Sequence, residues 1–363
     1  MSASGDQGQN VHERTDARLG AVPQGRAVIV AGPTASGKSA LAMALAREWG
    51  GVVINADSMQ IYRELRIVTA RPTAADEAAV PHRLYGVKSA REAGSVARWR
   101  EQALAEMARA RDQGLVPILC GGTGLYFASL IGGLADIPDP GDAARGEART
   151  FLASEGSAWL HARLAKVDPD SAARLRPSDG QRVARAWEVW RGTGRGMAAW
   201  HAEAARELPN WEFAAIRMDP DRAELRDAVA KRFALMIEDG VIEEIRALLA
   251  LGLDPALPAM RAHGVAELGT YLEGKATLAA AVERAVFASW QYSKRQNTWF
   301  RHHELADPGL THIIHARYAD QTQLSERIKG EFLNFVKNTV DAEQHRTLML
   351  RKLPEGELSY DRT

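Results

Sequence analysis

The chain of 363 residues is long enough for two domains, or for one large domain carrying an insertion. Apolar residues at 46% provide for a sizeable core, and Lys plus Arg matches Asp plus Glu at 46 each, which excludes a general electrostatic pull toward nucleic acid or a membrane. The single cysteine, Cys120, excludes an internal disulfide and suits a reducing, cytoplasmic setting, and no apolar run approaches membrane-spanning length.

Residues 1–24 are polar and Gly-rich without the apolar stretch of a signal peptide, so a disordered arm is expected there. Ala27-Val28-Ile29-Val30-Ala31 then reads as a short buried strand. It runs into Gly32-Pro33-Thr34-Ala35-Ser36-Gly37-Lys38-Ser39, which fits the phosphate-loop pattern G-x-x-x-x-G-K-[ST] at every fixed position. Leu41, Leu45 and Trp49 follow at i, i+4 and i+8, one face of a helix. Strand, glycine loop and helix together make a phosphate cradle. Backbone N–H groups curl round the anion, the helix start adds partial positive charge, Lys38 adds a full one, and the Ser39 hydroxyl can hold Mg²⁺. The loop alone does not say whether a phosphate or a diphosphate is held, or for what chemistry.

The second strand, Val52–Asn55, ends in Ala56-Asp57-Ser58-Met59-Gln60, where an open parallel sheet places its ligand crevice. Asp57 there can hold Mg²⁺, cap a helix or act as a general base, and the Gln60 amide can read an adenine. A helix over Val96–Gln113, stopped by Gly114, leads to the third strand, Ile118–Cys120, with Pro117 placed at its first residue. Gly121-Gly122-Thr123-Gly124 after it permits close backbone approach, with Thr123 on the crevice floor. A turn-rich linker, Asp136–Asp142, opens an Ala/Arg-rich helical stretch over 141–204 without a strand. In it Arg182 and Arg185 are i, i+3 neighbours. Ala214–Met218 is the fourth strand, and long helices follow, one interrupted at Gly240 and one running to about Phe300. The last carries Lys294, Arg295 and Arg301 among Trp299 and Phe300, a basic-aromatic stripe suited to nucleic acid, or equally a packed and salt-bridged helix. Residues 306–363 form a C-terminal extension with one helix expected around Leu324–Val340. Alternating strands and helices predict an α/β fold. Its phosphate-loop, doubly wound parallel-sheet core takes in 25–140 and 205–305, with a small inserted helical domain and C-terminal helices.

Together, Gly32–Ser39, Asp57-Ser58-Met59-Gln60-Ile61-Tyr62-Arg63, Thr69-Ala70-Arg71-Pro72, Gly121–Tyr126, Gln181-Arg182-Val183-Ala184-Arg185, Lys294-Arg295-Gln296 and Thr298-Trp299-Phe300-Arg301 resemble bacterial tRNA dimethylallyltransferases over roughly residues 26–303. The resemblance implies transfer of a dimethylallyl group from dimethylallyl diphosphate to N6 of an adenine beside the anticodon. It makes Asp57, Thr34 and Lys38 catalytic, gives Gly32 through Ser39 to the diphosphate, and gives Ser39 to Mg²⁺. It gives the tRNA anticodon stem-loop Asp57, Ser58, Met59, Gln60 and Thr123, together with Arg145 and Gln181 through Arg185 (including Arg182, Val183 and Ala184), Arg222, Lys294 and Arg295. A cytoplasmic monomer without membrane contact is expected. The chain departs from the family pattern in two places. Val68 stands where a glycine is usual, and His263-Gly264-Val265-Ala266-Glu267 stands for I-G-Y-K-E, a stretch expected to lie away from the catalytic motifs. Three rivals share some features: a phosphate-loop kinase with the Arg-rich insertion as its lid, a transferase acting on free adenine nucleotides, and a phosphate-loop RNA-binding module without turnover. The stripe at Lys294–Arg301 argues against the kinase, the insertion against the nucleotide enzyme, and Asp57 against the non-catalytic binder.

Overall fold

The computed structural model describes residues 25–203, 208–318 and 325–336; the expected N-terminal arm and the end of the C-terminal extension lie outside them. The chain divides into two compact units, one of Met1–Ile131 with Pro209–Thr363, the other Gly132–Leu208.

The first unit is built on six strands: β1 (Gly25–Ala31), β2 (Gly51–Asn55), β3 (His82–Arg83), β4 (Val116–Gly121), β5 (Trp211–Met218) and β6 (Thr311–Ile314). They form one sheet in the order β3-β2-β4-β1-β5-β6 with every ladder parallel. A parallel sheet needs cover on both faces, and the strand residues sort accordingly. Val28 and Val30 of β1 pack with Leu41, Leu45 and Trp49 of α1 (Lys38–Trp49). On the opposite face Ala27, Ile29 and Ala31 pack with Trp99, Ala103 and Met107 of the helix Val96–Asp112. The short α2 (Ala74–Ala79), closed by a Thr73–Asp76 capping box, precedes that helix, α3. Next comes α4 (Gly124–Gly132), whose Tyr126 stacks on Trp99 at 4.1 Å between centroids.

Pro117 is the second residue of β4, not the first. The ladder to β1 begins only at Ile118, while Val116 donates to Gly50 O on the β2 side, so the missing proline N–H breaks no ladder bond. The edge strands β3 and β6 are two and four residues long, too short for an alternation to show in the sequence.

The Gly132–Leu208 unit holds α5 (Gly141–Ser154), α6 (Ser157–Val167), α7 (Pro169–Ala173), α8 (Gly180–Thr193) and α9 (Met197–Glu203). Ala148, Leu160, Leu164, Ala172, Val183 and Trp187 form its core. Four more helices complete the first unit: α10 (Arg222–Glu238), α11 (Val241–Ala250), α12 (Val265–Leu272) and α13 (Leu278–His302). With residues 61–70 they bury a third apolar cluster around Phe233, Ile245, Leu268 and Ala285. The Glu244 carboxylate of α11 accepts the N–H groups of Arg66, Ile67 and Val68 at 2.8–2.9 Å and so fixes that loop to the helical layer. Asp219, past the end of β5, is buried; it takes two hydrogen bonds from Arg301 of α13, and its N–H donates to Ile314 O of β6. Residues 326–336 are helical, within the stretch expected around Leu324–Val340. Among the described residues no helix is long and apolar enough to cross a membrane.

Candidate active site

Past the C-terminal ends of β1 and β2, Thr34, Gly37, Lys38 and Ser39 of the phosphate loop and Asp57, Met59 and Gln60 line one cavity of about 300 Å³ with α10, α13 and the loops at 68–70 and 262–263. The phosphate loop is held open by left-handed backbone at Ala35 (φ 67°) and Gly37 (φ 89°). Gly37 is obligatory for a second reason: a Cβ there would lie 2.5 Å from Tyr318 O. Lys38 opens α1, is half-buried, and donates from Nζ to Pro33 O at 3.2 Å. Burial pushes its ammonium below the usual lysine range, and the charge of Asp57 opposes that. The Thr34 N–H donates to Gln296 Oε1 and Gln296 Nε2 donates to Gly122 O, both at 2.8 Å. One buried amide of α13 therefore joins the phosphate loop to the glycine loop after β4. Gly122 leaves room for it, since a Cβ there would collide with Gln296 Nε2.

Asp57 sits in a turn shaped by Asn55. The buried Asn55 accepts the Asp57 N–H at 2.8 Å and donates to Asp57 O and Leu84 O. Asp57 Oδ1 accepts the Met59 N–H at 2.9 Å, so the carboxylate closes its own turn and still lines the cavity. Thr123 Oγ1 accepts the Ser58 N–H at 2.9 Å and donates to Ser58 Oγ at 3.3 Å, which locks the β2 and β4 loops together. Gln60 lines the cavity, but its amide nitrogen is committed to Thr69 O and Ala70 O at 2.8 and 3.0 Å. Its expected two-point reading of adenine is therefore corrected: the donor half is spent on holding the 69–70 turn.

Several residues here were not singled out from the sequence. Arg232 of α10 reaches the cavity; burial lowers its guanidinium and the Asp57 charge opposes that. Tyr292 of α13 faces the same space, its phenol pushed up to about 12 by burial and then by Asp57. Both stand beside apolar neighbours on helix stripes, where a sequence pattern reads core. The stretch around His263 was expected away from the catalytic motifs. It is not: Ala262 and His263 line the cavity. The two departures from the family pattern also meet, since a Cβ on Gly264 would lie 2.8 Å from Val68 Cγ2.

The basic stripe is divided in function. Lys294 Nζ lies 4.9 Å from the Trp290 ring centroid, and exposed Arg295 covers Tyr292 at 5.5 Å. Exposed Arg222, the first residue of α10, shares a small cleft with Trp290, Lys294, Asn297 and Arg301. Arg301 is spent on Asp219, Phe300 is wholly buried in the sheet core, and Trp299 stacks on His303 at 4.0 Å and covers Gly124. These two aromatics are packing residues, not base-stacking platforms. In the helical unit Gln181 and Arg182 are exposed and Arg185 pairs with Glu188 at 3.2 Å. Arg145 is tied to Asp139 and Asp142 at 2.5 and 3.0 Å. Val183 and Ala184 are corrected: both are buried in that unit's core, so their side chains serve to place the arginines beside them.

Ser39 is exposed at the start of α1 and shares the cavity with Asp57; these are two oxygen donors there that could hold a divalent cation together with substrate phosphates. Among the described residues no three His, Cys, Asp or Glu side chains come together.

The IPP transferase family model matches residues 60–303. The chain is 57% identical to a tRNA dimethylallyltransferase of Granulibacter bethesdensis over 312 residues, 86% of this chain and 98% of that one. It is 54% identical to the tRNA dimethylallyltransferase of Gluconobacter oxydans over 318 residues, 87% and 95% of the two chains. Among solved structures it resembles a eukaryotic dimethylallyltransferase acting on tRNA, with a TM-score of 0.72 at 25% identity over 86% of this chain and 80% of that one. It also resembles the full-length tRNA isopentenylpyrophosphate transferase of Bacillus halodurans, with a TM-score of 0.59 at 31% identity over 89% and 99%. The chain belongs to the IPP transferase family.

Proposed function

We propose that the chain is a tRNA prenyltransferase, moving a dimethylallyl group from dimethylallyl diphosphate to N6 of an adenine beside the anticodon. The observation that carries this reading is the mixed lining of the cavity. It joins the cations Lys38 and Arg232 and the phosphate loop with the apolar Met59, Val68, Ala70, Ala228 and Ala262 and with the Asp57 carboxylate. A short allylic diphosphate needs both kinds of surface.

The adenine N6 is a poor nucleophile because its lone pair is delocalised into the ring. As the new N–C bond forms and the allylic C–O bond breaks, N6 must lose a proton, and the Asp57 carboxylate of the cavity lining would take it. Negative charge grows on the departing diphosphate. The phosphate-loop N–H groups, the start of α1 and Lys38 answer it with fixed electrostatics, and an anion beside Lys38 favours the charged form that burial disfavours. Ser39 would hold Mg²⁺, which supplies further charge neutralisation to the same leaving group. Thr34, which lines the cavity, would hydrogen-bond the bridging oxygen. The adenine must leave its stack to reach Asp57. Arg222, Lys294 and Arg295 are the cations for the stem-loop backbone on the α10–α13 face, and Arg145, Gln181, Arg182 and Arg185 are the polar and cationic groups of the helical unit. In this reading the enzyme works in the cytoplasm as a monomer.

The test is incubation with dimethylallyl diphosphate, Mg²⁺ and unmodified tRNA. A mass gain of one dimethylallyl group on adenosine is expected, without ATP hydrolysis. ATP turnover with no mass gain would mean a kinase.

A further inference from the structure

The stretch past Glu304 carries no motif, yet it returns to the phosphate loop. β6 joins the sheet beside β5, so the residues after Ile314 emerge at the same edge as the loop. Tyr318 is buried, and its N–H donates to Ser36 O at 3.0 Å. Arg317 Nε donates to Ala35 O at 2.8 Å, its N–H donates to the Glu224 carboxylate at 3.2 Å, and its side chain lines the cavity with Lys38, Ser39 and Asp57. The helical residues beyond are anchored to the same face: Lys329 pairs with Glu48 of α1, and Phe335 O accepts a bond from Arg26 of β1.

We propose that Arg317 is a substrate-binding residue for the donor diphosphate, lent to the phosphate loop by the C-terminal extension. The inference rests on the prenyl-diphosphate reading of the cavity. The chemistry is that of an anion clamp. The loop presents N–H groups and Lys38 from one side, and Arg232 lines the wall with α10. Arg317 adds a guanidinium tethered through Nε to Ala35 O, on a backbone that its N–H fixes to the Glu224 carboxylate, so little side-chain freedom is lost when an anion arrives. A guanidinium also matches phosphate oxygens in geometry as an ammonium does not.

Titration of inorganic diphosphate into the wild type, Arg317→Gln and Arg317→Lys, with melting curves alongside, tests this. Glutamine retains a donor for Ala35 O and removes the charge; lysine retains the charge. The proposal expects Arg317→Gln to weaken diphosphate binding about ten-fold or more. It expects the salt dependence of that binding to flatten, and KM for dimethylallyl diphosphate to rise with little change in KM for tRNA. Arg317→Lys should recover part of the loss. Tight wild-type binding with unchanged affinity and salt dependence in a folded Arg317→Gln would overturn the role of Arg317 and leave the cavity assignment standing. A wild type that does not bind diphosphate would overturn both.

Discussion

At the scale of single residues, the proton acceptor proposed for the reaction, Asp57, can be separated from its neighbours by one substitution. Asp57→Asn keeps the acceptor for the Met59 N–H and the shape of the turn, but cannot take a proton. Turnover should fall by roughly 10²–10⁴, the usual worth of a positioned base. Binding of donor and tRNA should stay within a few-fold. A collapse of donor affinity that extra Mg²⁺ restores would make Asp57 a cation ligand, and near-normal single-turnover rates would remove it from the chemistry. Gln296 is the complementary case. Gln296→Ala leaves the Thr34 N–H and the buried Gly122 O unpaired, so stability should fall by about 1–3 kcal/mol. Diphosphate affinity should fall with it, because Thr34 belongs to the phosphate loop. A lower melting temperature with unchanged diphosphate affinity would confine Gln296 to packing. Asp57 was legible in the sequence because it follows a buried strand directly, where the fold predicts a site. Gln296 was not, because a polar residue on a basic helix reads as surface until the glycine loop is seen packed against it.

At the scale of elements, strand–loop–helix was readable because local pattern and tertiary role agree there: β1 is buried on both faces and α1 starts at Lys38. The helix α13 was half-readable. Its period marked an amphipathic helix, but for Trp299, Phe300 and Arg301 the pattern left a nucleic-acid surface and a packed, salt-bridged helix equally open. Their partners (Gly124, the sheet core and Asp219) are distant in sequence, which no local pattern reveals. Asp219 is the joint between β5, β6 and α13. Burial would raise its carboxyl, but hydrogen bonds from Arg301 and Asn297 and the charges of Arg301 and Arg217 outweigh burial and leave it below the usual carboxylate range. A carboxyl lowered in the folded state adds stability that is present above its unfolded pKa and is lost as pH falls through the folded value. The melting temperature should therefore decline with acid from about pH 4 downward. Asp219→Asn should lower stability at neutral pH and flatten that acid limb. An acid limb identical to wild type would show that other carboxyls set it.

At the scale of the whole molecule, the charges cancel, so affinity for a polyanion must come from where they sit and not from their sum. Many of the arginines assigned to RNA are already paired: Arg145 with Asp139 and Asp142, Arg185 with Glu188, and, on the stripe itself, Arg301 with Asp219. Lys294 and Arg295 differ, for each lies over an aromatic ring, Trp290 and Tyr292. A cation resting on a ring face gives up little when a phosphate approaches, whereas a salt-bridged arginine must first exchange one anion for another. The paired arginines should therefore contribute less per residue than these two. Lys294→Ala or Arg295→Ala should weaken tRNA binding and lower the slope of log affinity against log salt by about 0.7–0.9 for each phosphate that is no longer neutralised. Inorganic diphosphate affinity should hardly move, since the cavity cations Lys38, Arg232 and Arg317 remain. Arg145→Ala, which frees Asp139 and Asp142 at the same time, should change the salt slope less than either. Equal losses of tRNA and diphosphate affinity in the Lys294 and Arg295 variants would mean that the two residues hold α13 in place and do not meet the RNA.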